Sequence, residues 1–475
     1  MRRPPLISTT DFSSARPAEE LSSAFKLFQS ILETLQHEQF LDPEARTTDK
    51  MVYTNGVTLW MLILQRLGGG LSLDEVVSHV LSYARDLLPE NKRVREHTLS
   101  ENTGGYARAR KRLSEDLIRR FSAQVCNYLG EISAPVIAGR RVFILDGTTI
   151  TLPPTPALQA AYPPAPNQHG QSVWPVAQLM LAHELQSGCA LLPQIDPMYG
   201  ENRASEAVQA RRIVTQLPAQ AIVLADAGFG IYSVAHHTVH AQHDFLFRLT
   251  HARFQALRRR ARLIDEGPTH KTYQVNWRPS VRDRKSTPQL LPEASLDVVL
   301  HEVQLSSGAT LYLVSSLDFD ATTSSAVYCR RYDVEFDIRD VKVTLDTENL
   351  RAKSVEMFKK EFYTSIVAYN LVMQFRRQAA QLAAVQPRRL SFKRVWTTLK
   401  NRLLMQRPCT MEEWLERYAV ALCRASEKKH PLRKQPRSYA RKAHTRRQKS
   451  TKFEKAQRQK NKQTERESPP PMEPK

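Results

Sequence analysis

The chain has 475 residues, too many for one ordinary domain, and carries 69 Lys and Arg against 48 Asp and Glu, a net charge of +21. That balance suits a nucleic-acid partner. Its five cysteines (126, 189, 329, 409 and 423) are scattered with no Cys-x-x-Cys, which excludes a zinc ribbon and a disulfide framework and points to a reduced, intracellular protein.

In chain order, residues 1–20 read as flexible, and no apolar core follows Met1-Arg-Arg-Pro-Pro, so no signal peptide is expected. Residues 21–38 carry helical apolar spacing (Leu21, Phe25, Phe28, Ile31, Leu32, Leu35). Val57–Leu67 predicts a second helix, stopped by Gly68-Gly-Gly70, a run that lacks the Gly-Lys-Ser/Thr ending of a phosphate loop. The stretch Val57 to Leu64 is the longest apolar segment and is too short to span a bilayer. Ser72-Leu-Asp-Glu75 has capping-box spacing and opens a third helix, running to about Leu88. A basic cluster, Arg108, Arg110, Lys111 and Arg112, leads into a further helix toward Tyr128. Residues 21–137 thus form a helical unit suited to DNA contact, the plainer alternative being a solvated basic face.

From about Val142 the pattern changes to α/β. Strands are expected over 142–145, 175–185, 190–195, 221–225 and 244–249, with helices over 204–217 and 231–242. Residues 251–320 hold Arg258-Arg-Arg260 and short alternating segments (273–277, 298–305, 311–314), a β-rich insertion between two parts of one core, 138–250 and 321–400. Helices resume from Tyr328 and run to about residue 425, the last of them within 401–427. The end of the chain is basic: Lys428 to Arg466 holds 16 Lys and Arg against two Glu. With few large apolar residues, 428–475 is expected to be disordered and to touch the DNA backbone by counterion release.

Three acids stand out within this order. Asp146 follows the apolar run Val142-Phe-Ile-Leu145 and precedes Gly147, where the strand is expected to end and the backbone to turn. Asp226 repeats the design after Ala221-Ile-Val-Leu-Ala225, with Gly228 and Gly230 behind it. Glu335 lies in the segment from Tyr328 to Lys342, which has the spacing Y-x2-R-x3-E-x6-K. At about 100° per residue in a helix, Tyr328, Arg331, Glu335 and Lys342 fall within about 60° of arc, beside an apolar stripe of Val334, Ile338, Val341 and Leu345. A strand-Asp, strand-Asp, helix-Glu order, once its acids are brought together, can hold two hard divalent cations roughly 3.5–4 Å apart, and oxygen-only ligation favours Mg²⁺ or Mn²⁺. The typical substrate of such a site is a phosphodiester.

These residues resemble the DDE transposases of bacterial insertion sequences, in the branch called insertion sequence family 4. The likeness extends through Asp146-Gly-Thr-Thr with Leu152-Pro-Pro-Thr-Pro156, through Lys359-Lys-Glu-Phe-Tyr-Thr-Ser-Ile-Val-Ala-Tyr-Asn370, and upstream to Asn102–Leu113, covering roughly residues 50 to 380. The resemblance implies a ribonuclease-H-like core and cut-and-paste transposition, in which hydrolysis nicks the element end and the freed 3′-hydroxyl then attacks DNA. It implies Asp146, Asp226 and Glu335 as ligands of two Mg²⁺ or Mn²⁺ ions and Tyr328, Arg331 and Lys342 as grips on DNA phosphates. It also implies element ends and target DNA as partners, a homodimer in the synaptic complex, and a bacterial cytoplasmic location on the nucleoid. Some relatives stack an aromatic on a displaced base, and Trp277 is the nearest candidate upstream of Glu335. The alternatives are an inactive, transposase-derived DNA-binding protein and another two-metal nuclease.

Two further patterns are weighed as bystanders. His236, His240 and His243 share a helix face but lack an acid or thiol to complete a metal set. Asp196 follows Leu191–Ile195 and precedes Pro197, which suits a turn.

Overall fold

A computed structural model of the chain describes residues 51–131, 137–167, 170–287, 290–291 and 293–430. The expected flexible start (1–20), the helix over 21–38 and the basic tail from residue 431 lie outside the described residues.

The described chain opens with four longer helices, α1 (Asn55–Leu67), α2 (Leu73–Tyr83), α3 (Gly104–Arg112) and α4 (Glu115–Glu131). Helix α1 is apolar almost all round, and every residue from Val57 to Leu67 is buried, as a helix without a polar face requires. Ser72 and Glu75 exchange both bonds of the expected capping box at the start of α2. That helix stops at Tyr83, short of Leu88, because the backbone breaks at Ala84 and continues as a 3-10 turn over Arg85–Leu87.

Ten strands follow, β1 (Val142–Thr151), β2 (Pro164–Asn167), β3 (Gly170–Glu184), β4 (Gln194–Pro197), β5 (Ile222–Ala225), β6 (Asp244–Arg248), β7 (Arg262–Gly267), β8 (His270–Trp277), β9 (Leu296–Gln304) and β10 (Thr310–Ser315). They form one sheet. Its first part runs β4-β3-β1-β5-β6, with β3 antiparallel to both its neighbours and β5 and β6 parallel to β1. This is the expected ribonuclease-H-like order. Strand β10 then pairs antiparallel with β6, and β9, β8 and β7 extend the same sheet as antiparallel neighbours. The segments expected as a β-rich insertion therefore continue the core sheet.

Side chains alternate across the strands. Phe143, Leu145, Val223 and Ala225 pack with α5 (Glu206–Val214), α6 (Tyr232–His240) and α7 (His251–Arg258). Val142, Ile144, Ile222 and Leu224 pack on the other face with α8 (Ala321–Cys329) and α9 (Asp333–Arg339). The long helix α10 (Val355–Leu382) packs against α1, α4, α11 (Phe392–Leu399) and α12 (Met411–Ser426). Its buried polar residues explain the Lys359–Asn370 motif. Glu361 lies between Arg66 and Arg110. Lys360 Nζ reaches the Arg110 and Lys111 carbonyls at the end of α3, where a cation complements the helix dipole. Asn370 trades two 2.8 Å bonds with the backbone of Ala190, as a neighbouring strand would.

Three expectations are corrected. β1 does not end at Asp146, because β3 pairs with it from Phe143 to Thr151 and carries the ladder past the acid. Gly147 therefore makes no turn. A Cβ there would stand 2.6 Å from Glu206 Oε1, so the glycine leaves room for that side chain. Asp196 sits within β4 opposite Gln178 and accepts from Gln209 (3.0 Å) and Arg212 (2.9 Å), so its role is structural but not that of a turn. The segment from Tyr328 to Lys342 is not one regular helix: a 3-10 turn (Arg330–Tyr332) joins α8 to α9, and a π turn (Asp340–Thr344) follows. The tight and wide turns offset one another in rotation, so Val334, Val341 and Leu345 are still buried.

Candidate active site

Asp146 and Asp226 reach one place by the same route. The parallel pairing of β1 with β5 ends at Ile144 and Leu224, and each acid follows two residues later, on the face shared by Ile144 and Leu224. Both carboxylates thus stand just beyond the last parallel pair of β1 and β5, Asp146 within β1 and Asp226 directly after β5, under α8 and α9. Each is held by a backbone donor just after it: Gly147 N–H to Asp146 Oδ1 at 2.9 Å and Gly228 N–H to Asp226 Oδ1 at 2.8 Å. Gly230 closes the second turn so tightly that a Cβ would lie 2.2 Å from the Arg248 carbonyl oxygen, an approach only glycine permits.

Above the two acids lies Arg331, 8% exposed. Its Nη1 is 3.8 Å from Asp146 Oδ2 and its Nη2 is 3.5 Å from Glu335 Oε1. Burial opposes its charge, but the Tyr328, Asp146, Asp226 and Glu335 groups more than offset that, and its pKa is raised. Its Nε is buried without a hydrogen-bond partner. Burial likewise pushes the Asp146 carboxyl up to about 6; Arg331 pulls it down and Asp226 adds to the rise. Glu335 projects from the first turn of α9 with its side chain 60% exposed.

The sequence placed Tyr328 and Lys342 on the same arc, and the structure treats them differently. Tyr328 is 2% exposed, in the field of Arg331, Arg248 and Asp226, so it cannot itself reach a DNA phosphate in this arrangement. Lys342 comes to β1 instead, 3.3 Å from Thr148 Oγ1, and also pairs with Glu348 at 3.1 Å. The helix is fixed from behind by Asp337, fully buried and paired with Arg388, beside His183 at 3.9 Å.

Asp146 and Glu335 pair with one guanidinium and Asp226 lies in its field, but the three carboxylates do not meet at one point. Among the described residues no three acid, imidazole or thiol groups stand close enough to hold a shared ion. The donor chemistry fits a hard divalent cation: only carboxylate oxygens are offered, and burial, with Asp226 nearby, raises the Asp146 pKa. Arg331 acts in the opposite sense.

Residues 137–371, spanning β1 to the middle of α10, match the family model described as "Transposase DDE domain". The chain is 22% identical over 370 residues, 74% of its length and 79% of the relative's, to "Transposase InsG for insertion sequence element IS4" of Escherichia coli strain K12. The chain belongs to the DDE transposases. Among solved structures it is similar, at 12% identity and a TM-score of 0.39 over 85% of this chain and 86% of the other, to a piggyBac transposase synaptic complex with hairpin DNA. The resemblance drawn from the motif, its DNA transposase activity and its metal-dependent DNA cleavage and strand transfer are borne out. The family generally uses divalent metal ions and binds DNA.

Other expected site residues of the transposase fall elsewhere. Arg110, one of the basic cluster in sequence, is 8% exposed and paired with Glu361, so it is a packing residue; Arg108, Lys111 and Arg112 are exposed. Helical periodicity turned it inward, onto α10. Trp277 is 7% exposed and meets Tyr232 edge-on at 5.5 Å, so its faces are not open to a base. The His236 and His240 rings lie 4.1 Å apart and tilted by 42°, while His243 lies beyond α6 and accepts from Ala221 N–H. Among the described residues no helix is long and apolar enough to cross a membrane. Sequence reasoning missed Thr148, Glu348, Asp337 and Arg388. Thr148 carried a usable signal, standing two residues after Asp146 on the same strand face; the other three gave none.

Proposed function

We propose that this transposase moves an insertion sequence by cut-and-paste, with Asp146, Asp226 and Glu335 as the ligands of two Mg²⁺ or Mn²⁺ ions. The observation that carries this is the pair of acids just beyond the parallel pairing of two adjacent strands, with a third acid on α9 and all three in the field of Arg331. Bound there, the ions would activate the attacking oxygen and stabilise the leaving oxygen of a phosphodiester. The protein's own part is positional. Arg331, with its unpartnered Nε, turns toward a scissile phosphate and releases the carboxylates; Lys342 holds a neighbouring phosphate from the β1 side. Tyr328 acts from beneath as a positioning residue for Arg331.

The division of labour proposed for the chain has residues 21–137 contacting element ends and 138–250 with 321–400 forming the catalytic core. Residues 251–320 are its insertion, 401–427 a closing helical segment, and 428–475 a non-specific DNA contact. Exposed Arg108 and Arg112 line a cavity of about 470 Å³ with Arg93 and Tyr53, which supports DNA contact by the first unit. Synapsis of two ends calls for a homodimer, and the cytoplasmic nucleoid is the proposed place of action. The test is Mg²⁺-dependent cleavage of DNA carrying the element's own ends, with Asp226→Ala as control. Cleavage at the ends that disappears in the variant supports the assignment. DNA binding with no cleavage by the unaltered chain overturns it.

A further inference from the structure

A strongly basic cavity lies on the other face of the sheet from the carboxylates, at the same end. It has a volume of about 750 Å³ and is walled by α5, α6, α7, the end of β8 and the short helix Val281–Ser286 that follows it. Six arginines line it, Arg211, Arg253, Arg260, Arg278, Arg282 and Arg284, against one carboxylate, Asp283, which is engaged in a capping box with Ser280. Their hydrogen-bond partners within the protein are neutral oxygens: Thr287 for Arg211, the Ala227 and Gly230 carbonyls for Arg253, Asn276 for Arg278 and the Pro279 carbonyl for Arg284. Arg253, Arg260, Arg278 and Arg282 are exposed. Folding has gathered six positive charges and one carboxylate around one opening, a field that attracts anions.

A second, independent observation lies at the back of the cavity. Tyr232 is 1% exposed and lines the wall, with its ring set edge-on against Trp277, yet its hydroxyl has no hydrogen-bond partner. A buried donor left unsatisfied calls for an acceptor from outside. Guanidinium forks and a hydroxyl donor together match phosphate oxygens. The volume far exceeds one phosphate group, and the six charges are spread over four structural elements, which suits several successive phosphates. The position names the polymer's path. Gly228 and Gly230 line the cavity, so only the short turn that begins at Asp226 separates it from the carboxylates.

We propose that this cavity is a second DNA-backbone site, taking the phosphodiesters of a strand that passes from the carboxylate site around the turn at 226–231. This rests on the transposase assignment for the strand's origin but not for the binding itself. The experiment is DNA binding by the full chain across a salt series, comparing the unaltered protein with Arg278→Ala/Arg282→Ala. Every phosphate that the protein ceases to neutralise lowers the slope of log K against log salt by about 0.9, so the double variant is expected to lose close to two from the slope. A Lys pair at the same positions is expected to restore most of it. Both substituted side chains are exposed, so folding is retained, and a thermal melt verifies this. Tyr232→Phe is expected to weaken binding several-fold with no loss of melting temperature. An unchanged slope in the folded double variant overturns the proposal. So does tight binding of inorganic pyrophosphate that is lost in the double variant yet leaves DNA binding by the unaltered protein unchanged, which would assign the cavity to a small polyphosphate. If the unaltered protein never cleaves DNA, the transposase assignment fails while the salt slope still decides the cavity.

Discussion

Asp146 is expected to destabilise the protein it serves. Its carboxyl has an ordinary value of 3.8 and is pushed up to about 6, first by burial and then by the neighbouring Asp226 charge, with Arg331 acting in the opposite sense. A carboxyl with a raised folded-state pKa contributes stability that is complete below the unfolded value and lost as pH rises through the folded one. The loss therefore develops between about pH 4 and pH 6 and is full at pH 7. At about 1.4 kcal/mol for each tenfold change it amounts to about 3 kcal/mol. Asp146→Asn keeps the shape and removes the charge. In EDTA at pH 7.5 the variant is expected to melt a few degrees higher than the unaltered chain, at about 2 °C per kcal/mol for a domain of this size. At pH 4 the difference should nearly vanish. Cleavage should be lost at the same time. Differential scanning calorimetry at both pH values decides the matter. A lower melting temperature for Asp146→Asn at pH 7.5 would show that the pair with Arg331 outweighs desolvation, and the account of Asp146 as destabilising would be wrong.

Four further outcomes are expected. Glu335→Gln should abolish Mg²⁺-dependent cleavage while sparing DNA binding in a gel-shift assay, since its side chain is largely exposed; retained cleavage would refute its assignment as a ligand. Arg331→Met should tighten Mn²⁺ binding by the DNA-free protein about tenfold, measured by titration calorimetry, because the guanidinium competes for the same carboxylates; weaker binding would sink that role. Glu361→Ala leaves Arg66 and Arg110 buried together without their shared anion and should cost about 3–5 kcal/mol in a denaturant melt; a cost under about 1 kcal/mol would mean water reaches the pair. Gly230→Ala places a methyl group against the Arg248 carbonyl and should lower the melting temperature by several degrees and cleavage with it; a neutral result would show that the turn after Asp226 can shift freely.

Much of the site was legible in one dimension because its signals are local. The apolar run before Asp226 does end as a strand at Ala225, and the Val334, Val341, Leu345 stripe is buried. Capping at Ser72 needs only four consecutive residues, and it is found as expected. Local signals failed where a distant partner decided the outcome. Asp146 lies within a strand because β3 runs beside it, and Arg110 faces inward because Glu361 of α10 lies 251 residues further on.

The sequence by itself determined the chemistry: which acids, which cations and at what spacing along the chain, since those are properties of composition and periodicity. Tertiary structure decided which of them meet. It placed Asp146 and Asp226 side by side through the β1–β5 pairing, set Arg331 among the acids, buried Tyr328 and drew Lys342 to Thr148. It also gathered six arginines from four elements around one cavity. Such contacts depend on sheet order and on which helix face packs inward. Both are settled by burying apolar surface over the whole chain, so no short window of residues records them.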